Sequence, residues 1–325
     1  MLITRTPLRI SLGGGGTDLP SYYENTGEGF LLAAAINKYI YVAVHDNFAP
    51  KYLIKYSKIE DVDYPHEINH PLVREALIHT STPPGIEVSS LADIPAGTGL
   101  GSSGSFTVGL LKALYARQHQ QRANTDIAAD ACHLEIDKLD EPVGKQDQYI
   151  AAVGGLTSFT FSADGTVTPR SIEMDDIDRK DLEEHLLLFY TGVRRRAGDE
   201  LSALHEGAKV EQSEIRENLD AVREIGYRSV QLLEDGNLEG FGRILTEQWH
   251  LKLHRSPTPV HQQVDSWISE AISAGAYGGK LIGAGGGGFL LISADNRTPV
   301  RRRMREIGLR EVDFSFDYLG SAITS

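Results

Sequence analysis

A single cysteine, Cys132, is all that the chain of 325 residues holds, so no disulfide can form within it and a reducing compartment is the expectation. Long apolar runs are missing: the longest, Phe30 to Ile36, falls far short of the roughly 20 residues that span a bilayer. Met1 to Pro7 alternates like a strand and lacks the apolar core and small-residue cleavage site of a secretory signal, which points to the cytoplasm. Positive charge is also short. Lys and Arg number 32 against 45 Asp and Glu, a formal net charge of −13, and gripping nucleic acid nonspecifically needs a positive face that this balance does not provide. No repeat of fixed period is present, and low complexity is confined to two glycine runs.

What is present suits a globular chain that folds. Hydrophobic residues make up 41% and charged residues 24%, ordinary globular values, and the length suggests two domains. Leu2 to Leu12, Gly29 to Ile36, Tyr39 to His45, Lys51 to Tyr56 and Ile86 to Leu91 read as strands, with a helix over Pro71 to His79. Helical periodicity covers Ser105 to Gln118 and Thr125 to Leu139, and a shorter helix spans Val143 to Val153 before a strand at Leu156 to Phe161. The polar stretch from Ser162 to Glu184 marks a junction, which divides the chain into 1–170 and 171–325. Beyond it come a strand at His185 to Tyr190, long helices to Ala274, and strands at Tyr277 to Ile282 and Phe289 to Ser293. A basic helix near Pro299 to Ile307 and a last strand at Glu311 to Phe316 follow, so the class is α+β.

Three glycine-rich segments stand out: Pro7 to Asp18, Pro95 to Gly104, and Gly283 to Gly288. Glycine clusters let backbone N–H groups converge on an anion, and a helix starting after the loop adds its positive end. The middle segment has both properties, so phosphate binding is favoured over a simple tight turn. No lysine sits where a Walker A loop needs one. Gly99 to Gly104 fits Gly-x-Gly-x-x-Gly, as does Gly283 to Gly288, but the acidic residue in the expected window, Asp126, opens a helix, which disfavours a dinucleotide fold.

The order of these segments resembles the GHMP kinase superfamily, whose signatures are an amino-terminal Pro-x-Arg strand, a central Pro-x-x-x-Gly-Leu-Gly-Ser-Ser loop and a carboxy-terminal glycine loop. Residues 14–18, 143–149 and 278–289 are most similar to the D-glycero-D-manno-heptose 7-phosphate kinases, with fucokinase-like enzymes as near relatives. The resemblance implies the two-domain GHMP kinase fold with the active site in the interdomain cleft. It also implies an ATP-dependent sugar kinase that phosphorylates the anomeric hydroxyl of D-glycero-α-D-manno-heptose 7-phosphate, toward a nucleotide-activated heptose.

By the same resemblance, ATP lies on Pro95, Gly97, Gly99, Leu100, Gly101, Ser102, Ser103 and Gly104. Mg²⁺ takes Ser103 (or Ser102) and Glu135, in keeping with its preference for a few protein oxygens. Asp147 takes or orients the proton of the acceptor hydroxyl, Lys145 keeps that carboxylate ionised, and Arg9 lies near the transferred phosphoryl. Thr17 and Asp18 grip sugar hydroxyls beside Gly15 and Gly16, where galactokinases have Glu-His, a departure that disfavours galactose. Within Arg194 to Arg196, Arg195 aligns with an arginine suited to an acceptor phosphate, and Lys280 leads into Gly285 and Gly286, which close over the site.

Trp249 and Lys252 match positions on the substrate side, whereas His250 and His254 lack a zincin pattern and Arg301, Arg302, Arg303 and Arg305 read as an outer helix face. The expected partner is a small sugar phosphate, without nucleic acid or membrane, and a homodimer is left open. The rival readings are another sugar 1-kinase such as an L-fucokinase and, more remotely, a non-catalytic sugar-phosphate or nucleotide sensor.

Overall fold

Apolar side chains on both faces draw Leu2–Gly13 (β1) and Glu28–Asp46 (β2) into a long antiparallel pair at the centre of the first sheet. The computed structural model describes residues 1–192, 213–255, 259–283 and 287–324. Outward from β2 the order continues through Ile86–Ala92 (β5), Tyr52–Lys55 (β3) and Ile59–Val62 (β4), while the hairpin Leu156–Ser162 (β6) and Val167–Ser171 (β7) also joins β2. On the other flank β1 pairs with Ala322–Ile323 (β12), through Thr4 and Arg5 alone.

That short outer pairing has a consequence. The ladder to β2 shifts register between Pro7 and Leu8, a bulge that fits a residue without an N–H. Beyond it, β1 turns its free edge to the glycine loop: Arg9 N donates to Leu100 O at 3.0 Å, and Ser105 Oγ donates to Pro7 O at 2.8 Å. The first motif is thereby fastened to the second.

The helix Ser102–Arg117 (α3) is buried along most of its length and lies on β1, where Thr4 Oγ1 donates to Gly109 O at 2.9 Å. It starts three residues before the sequence expectation, because Gly101 at φ +76° caps it directly out of the loop. The expected helix over Thr125 to Leu139 is α-helical only for Asn124–Cys132 and then widens into a π turn at His133–Lys138, a local insertion that helical periodicity does not reveal.

The second sheet runs Arg310–Glu311 (β11), Leu186–Tyr190 (β8), Phe289–Ser293 (β10) and Gly278–Leu281 (β9). Leu186 and Leu188 face one apolar core and Leu187 and Phe189 another, which explains an unbroken hydrophobic strand. Helices Ser213–Glu234, Leu238–Arg255 and Pro259–Ser273 belong to this half. The expected strand at Glu311 to Phe316 is corrected: only Arg310–Glu311 pairs there. The chain then crosses back, bridges Phe316 to Ile36 and ends as β12 of the first sheet. No helix among the described residues is long and apolar enough to cross a membrane.

Candidate active site

Between the two sheets lies a cavity of about 310 Å³ lined from both halves of the chain. At its centre Arg9, nearly buried on β1, donates from Nε to Asp147 Oδ1 at 2.7 Å, with Nη2 also 2.7 Å from that oxygen in an ion pair, and donates from Nη1 to Gly99 O at 2.5 Å. Asp147 stands in the first turn of the helix Gln146–Val153, where the positive end of the helix favours a carboxylate. Its Oδ2 takes no hydrogen bond among the described residues and is left for a hydroxyl. Gly101 permits this arrangement: a Cβ there would sit 3.0 Å from Asp147 Cγ and 3.1 Å from Arg9 Cγ.

Of the loop residues, Gly97, Gly99, Gly101, Ser102 and Ser103 line the cavity. Pro95, Leu100 and Gly104 do not: Pro95 O accepts from Thr98 Oγ1 at 3.0 Å, Leu100 is a core anchor, and Gly104 makes room for Asp147 behind the helix start. The carboxy-terminal loop lies against this one so closely that a Cβ on Gly283 would come within 2.6 Å of Gly99 O. Gly285, Gly286 and Arg195 lie outside the described residues.

Asp18 is fully buried at the cavity wall, accepting from Gly16 N at 3.0 Å and Gln146 N at 3.2 Å. Burial, reinforced by the charge of Asp147, pushes its carboxyl above the usual range. Gly15 and Gly16 line the cavity beside it. Thr17 does not. Its hydroxyl donates to Gly14 O and Phe30 O and receives Phe30 N, so it holds the turn together. Lys145 is likewise corrected. Its ammonium donates to Gly165 O at 2.8 Å and lies over the Tyr23 ring, so it pins the β6–β7 turn to the start of the Asp147 helix, and the cation beside Asp147 is Arg9.

Ser103 and Glu135 come together behind the loop, although 32 residues separate them in sequence. Glu135 sits on the π turn, hydrogen-bonded by Ser103, by Thr107 and by Gln148 Nε2 at 3.0 Å. No cationic side chain among the described residues pairs with it, and burial raises its carboxyl to about 7. Gln148 Oε1 beside it is buried without a partner among the described residues. Hard oxygen donors without a counter-charge fit a Mg²⁺ ion.

A buried glutamate whose ordinary value of 4.5 rises to about 7 binds its proton more tightly in the folded than in the unfolded chain. Stability should therefore fall as pH rises between those values, since the folded state must shed a proton that the unfolded state has already lost. Metal-free protein should show this loss in its unfolding midpoint across that window, and Glu135→Gln should flatten it. An identical pH profile in the variant would exclude Glu135 as the source.

On the facing wall the sequence reading named Lys280, Trp249 and Lys252 but missed Gln248 and Arg255. Lys280, buried on β9, donates from Nζ to Gln248 Oε1 at 2.7 Å, and burial together with Lys252 and Arg9 holds its ammonium well below the usual lysine range. Lys252 Nζ donates to Gly283 O at 2.5 Å, and Arg255 Nη1 donates to Asn218 Oδ1 at 2.9 Å. Gln248, Lys252 and Arg255 share one helix face at i, i+4 and i+7, a spacing from Lys252 that could have found the other two. Trp249, also lining the cavity, donates from Nε1 to Asp265 Oδ1 at 3.2 Å. His250 is held outward by Asp265, and no metal-binding cluster of His, Cys, Asp or Glu occurs among the described residues. Arg301 pairs with Glu311 and Arg303 with Glu270 on the outer face of the helix Arg297–Glu306.

The family model for the N-terminal domain of GHMP kinases matches residues 70–155, and that for the GHMP kinase C-terminal domain matches residues 229–308, together half of the chain. The chain is 27% identical over 307 residues to a D-glycero-alpha-D-manno-heptose 7-phosphate kinase of Campylobacter jejuni, covering 90% of this chain and 89% of that protein. It is 28% identical over 271 residues to a bifunctional fucokinase/GDP-fucose pyrophosphorylase of Arabidopsis thaliana, covering 76% of this chain but 25% of that protein. A crystal structure of a D-glycero-D-manno-heptose 1-phosphate kinase from Bacteroides thetaiotaomicron superposes with a TM-score of 0.80 over 100% of this chain and 99% of that chain, at 23% identity.

Proposed function

The chain belongs to the GHMP kinases, which are ATP-dependent phosphotransferases, and on that premise we propose that it phosphorylates the anomeric hydroxyl of D-glycero-α-D-manno-heptose 7-phosphate to the 1,7-bisphosphate. The observation that carries a transfer reaction is the Arg9–Asp147 pair, set at the mouth of the glycine loop with one carboxylate oxygen turned to the cavity. The heptose comes from the relative aligned along nearly the whole chain.

Phosphoryl transfer asks mostly for positioning and for charge placed where it develops. Backbone N–H groups of Gly97 to Ser103, with the start of α3 behind them, cradle the donor phosphates. Ser103 and Glu135 would hold Mg²⁺, and the ion would supply positive charge to offset that of the donor phosphates. Asp147 Oδ2 accepts the hydrogen bond of the acceptor hydroxyl and receives or steers its proton as the new ester forms. Arg9, braced on Gly99 O, holds Asp147 in line and faces the moving phosphoryl. Asp18 accepts from the sugar's other hydroxyls, fixing which one reaches Asp147.

ADP release by the purified protein, measured over a panel of free and phosphorylated sugars, tests this, with phosphorus NMR to locate the new ester. Heptose 7-phosphate should be turned over best, with the product ester at the anomeric carbon. Turnover of unphosphorylated L-fucose above all phosphorylated sugars would favour the second reading, an L-fucokinase, which the fucokinase relative supports.

A further inference from the structure

Lys280 takes no part in the chemistry of Arg9, Asp147 and Asp18, yet it is a buried cation on the same cavity. It stands on β9, 4% exposed, and an ammonium there has three N–H donors to place. One goes to Gln248 Oε1 at 2.7 Å, the one acceptor it has among the described residues. That partner is a neutral amide, and no carboxylate among the described residues pairs with Lys280. Burying an ammonium without a counter-charge is costly, which is why burial, Lys252 and Arg9 all weaken its hold on the proton. An anion in the cavity would remove that cost.

Two contacts tie this strand to the reacting centre. Three residues beyond Lys280, a Cβ on Gly283 would come within 2.6 Å of Gly99 O, and Arg9 Nη1 donates to that same carbonyl. The segment after β9, the glycine loop and Arg9 therefore meet at one peptide, and Lys280 stands near enough to Arg9 for their charges to repel. Arg9 adds little net charge of its own, because its Nε donates to Asp147 Oδ1 and its Nη2 pairs with the same oxygen at 2.7 Å. Lys280 is thus an uncompensated cation beside a compensated one.

In the transfer, the acceptor oxygen bonds to the terminal phosphorus of the donor as the bridging P–O bond breaks. The electron pair of that bond leaves with ADP, and the hydroxyl proton leaves by way of Asp147. Negative charge meanwhile spreads over the three equatorial oxygens of the moving group. We propose that Lys280 is a catalytic residue, its two remaining N–H donors binding those equatorial oxygens in flight. Lys280 exchanges no proton in the step; a preplaced cation in a site shielded from water acts by its charge. Gln248 is a positioning residue that holds the ammonium and leaves its charge uncompensated. This assignment rests on the reading of the chain as a kinase, whichever sugar it takes.

The test uses Lys280→Met and Gln248→Glu, with heptose 7-phosphate as acceptor. Lys280→Met should lower kcat by about 10²-fold, the scale of one lost donor to developing charge, while ADP affinity stays within about threefold. Aluminium fluoride completes ADP into a mimic of the moving phosphoryl group, and it should tighten ADP binding about 10-fold more in wild type than in this variant. Gln248→Glu keeps the shape of the partner but sets a carboxylate against the ammonium, and should lose about 10-fold in kcat while remaining folded. Turnover within about threefold of wild type in Lys280→Met, or in Gln248→Glu should the first variant fail to fold, overturns the assignment. A fluoride effect equal to that of wild type in Lys280→Met overturns it too, since a merely structural lysine would leave that effect in place. A wild type that turns over L-fucose in place of the heptose overturns the acceptor reading alone, and the same measurements with L-fucose then decide Lys280.

Discussion

Asp147→Asn should lower turnover by about 10²-fold or more while nucleotide affinity stays within a few-fold. Asparagine keeps the shape of the side chain, and its amide oxygen can still accept from Arg9, so the 2.7 Å contacts survive in outline. What disappears is the basic oxygen now turned to the cavity and the negative charge that Arg9 balances. In the proposed reading the donor nucleotide sits on backbone groups of the loop, which the substitution does not touch. Single-turnover kinetics with a separate measurement of nucleotide binding would separate the two effects. Near-normal turnover in this variant would remove Asp147 from the mechanism.

The second large effect is expected at Gly101. Its φ of +76° is a conformation that a β-branched residue adopts only under strain, with a typical cost of about 1 to 3 kcal/mol. The steric conflict is as important as the strain, because the new Cβ would press on Asp147 Cγ and Arg9 Cγ together. Gly101→Val should therefore displace the reacting pair and distort the start of α3, cutting turnover by about 10²-fold or more even in molecules that remain folded. Circular dichroism establishes the folded fraction, and steady-state ADP release gives the rate. A folded variant within threefold of wild type would mean that the loop conformation has no bearing on the chemistry.

Local signals were read well wherever the chain interacts with its neighbours in sequence. The helix Pro71–His79, with proline at its first position, and the strand Phe289–Ser293 emerged with the bounds expected of them. Motif resemblance also brought Arg9, Asp18, Ser103 and Asp147 to one cavity wall, with Glu135 just behind Ser103. It failed for Thr17 and Lys145, which stand inside matching motifs but turn toward backbone carbonyls. A motif states which residue occupies a position and leaves open the rotamer that packing imposes. Arg255 and Gln248 escaped for the opposite reason: they belong to no motif, and their shared helix face becomes meaningful only once β9 and the glycine loop are seen to face it.

Composition and order thus determined most of the elements, the glycine-rich loop before α3 and the kind of chemistry, because glycine, charge and hydrophobic period act over a few residues of chain. Tertiary structure alone decided which charges meet. Arg9 reaches Asp147 across 138 positions, through a bulge at Pro7 and a left-handed turn at Gly101, and Glu135 loses its solvent in a π turn that no periodicity announces. Hydrogen bonds and desolvation depend on ångström separations, and those are set by how strands register and helices pack across the whole chain.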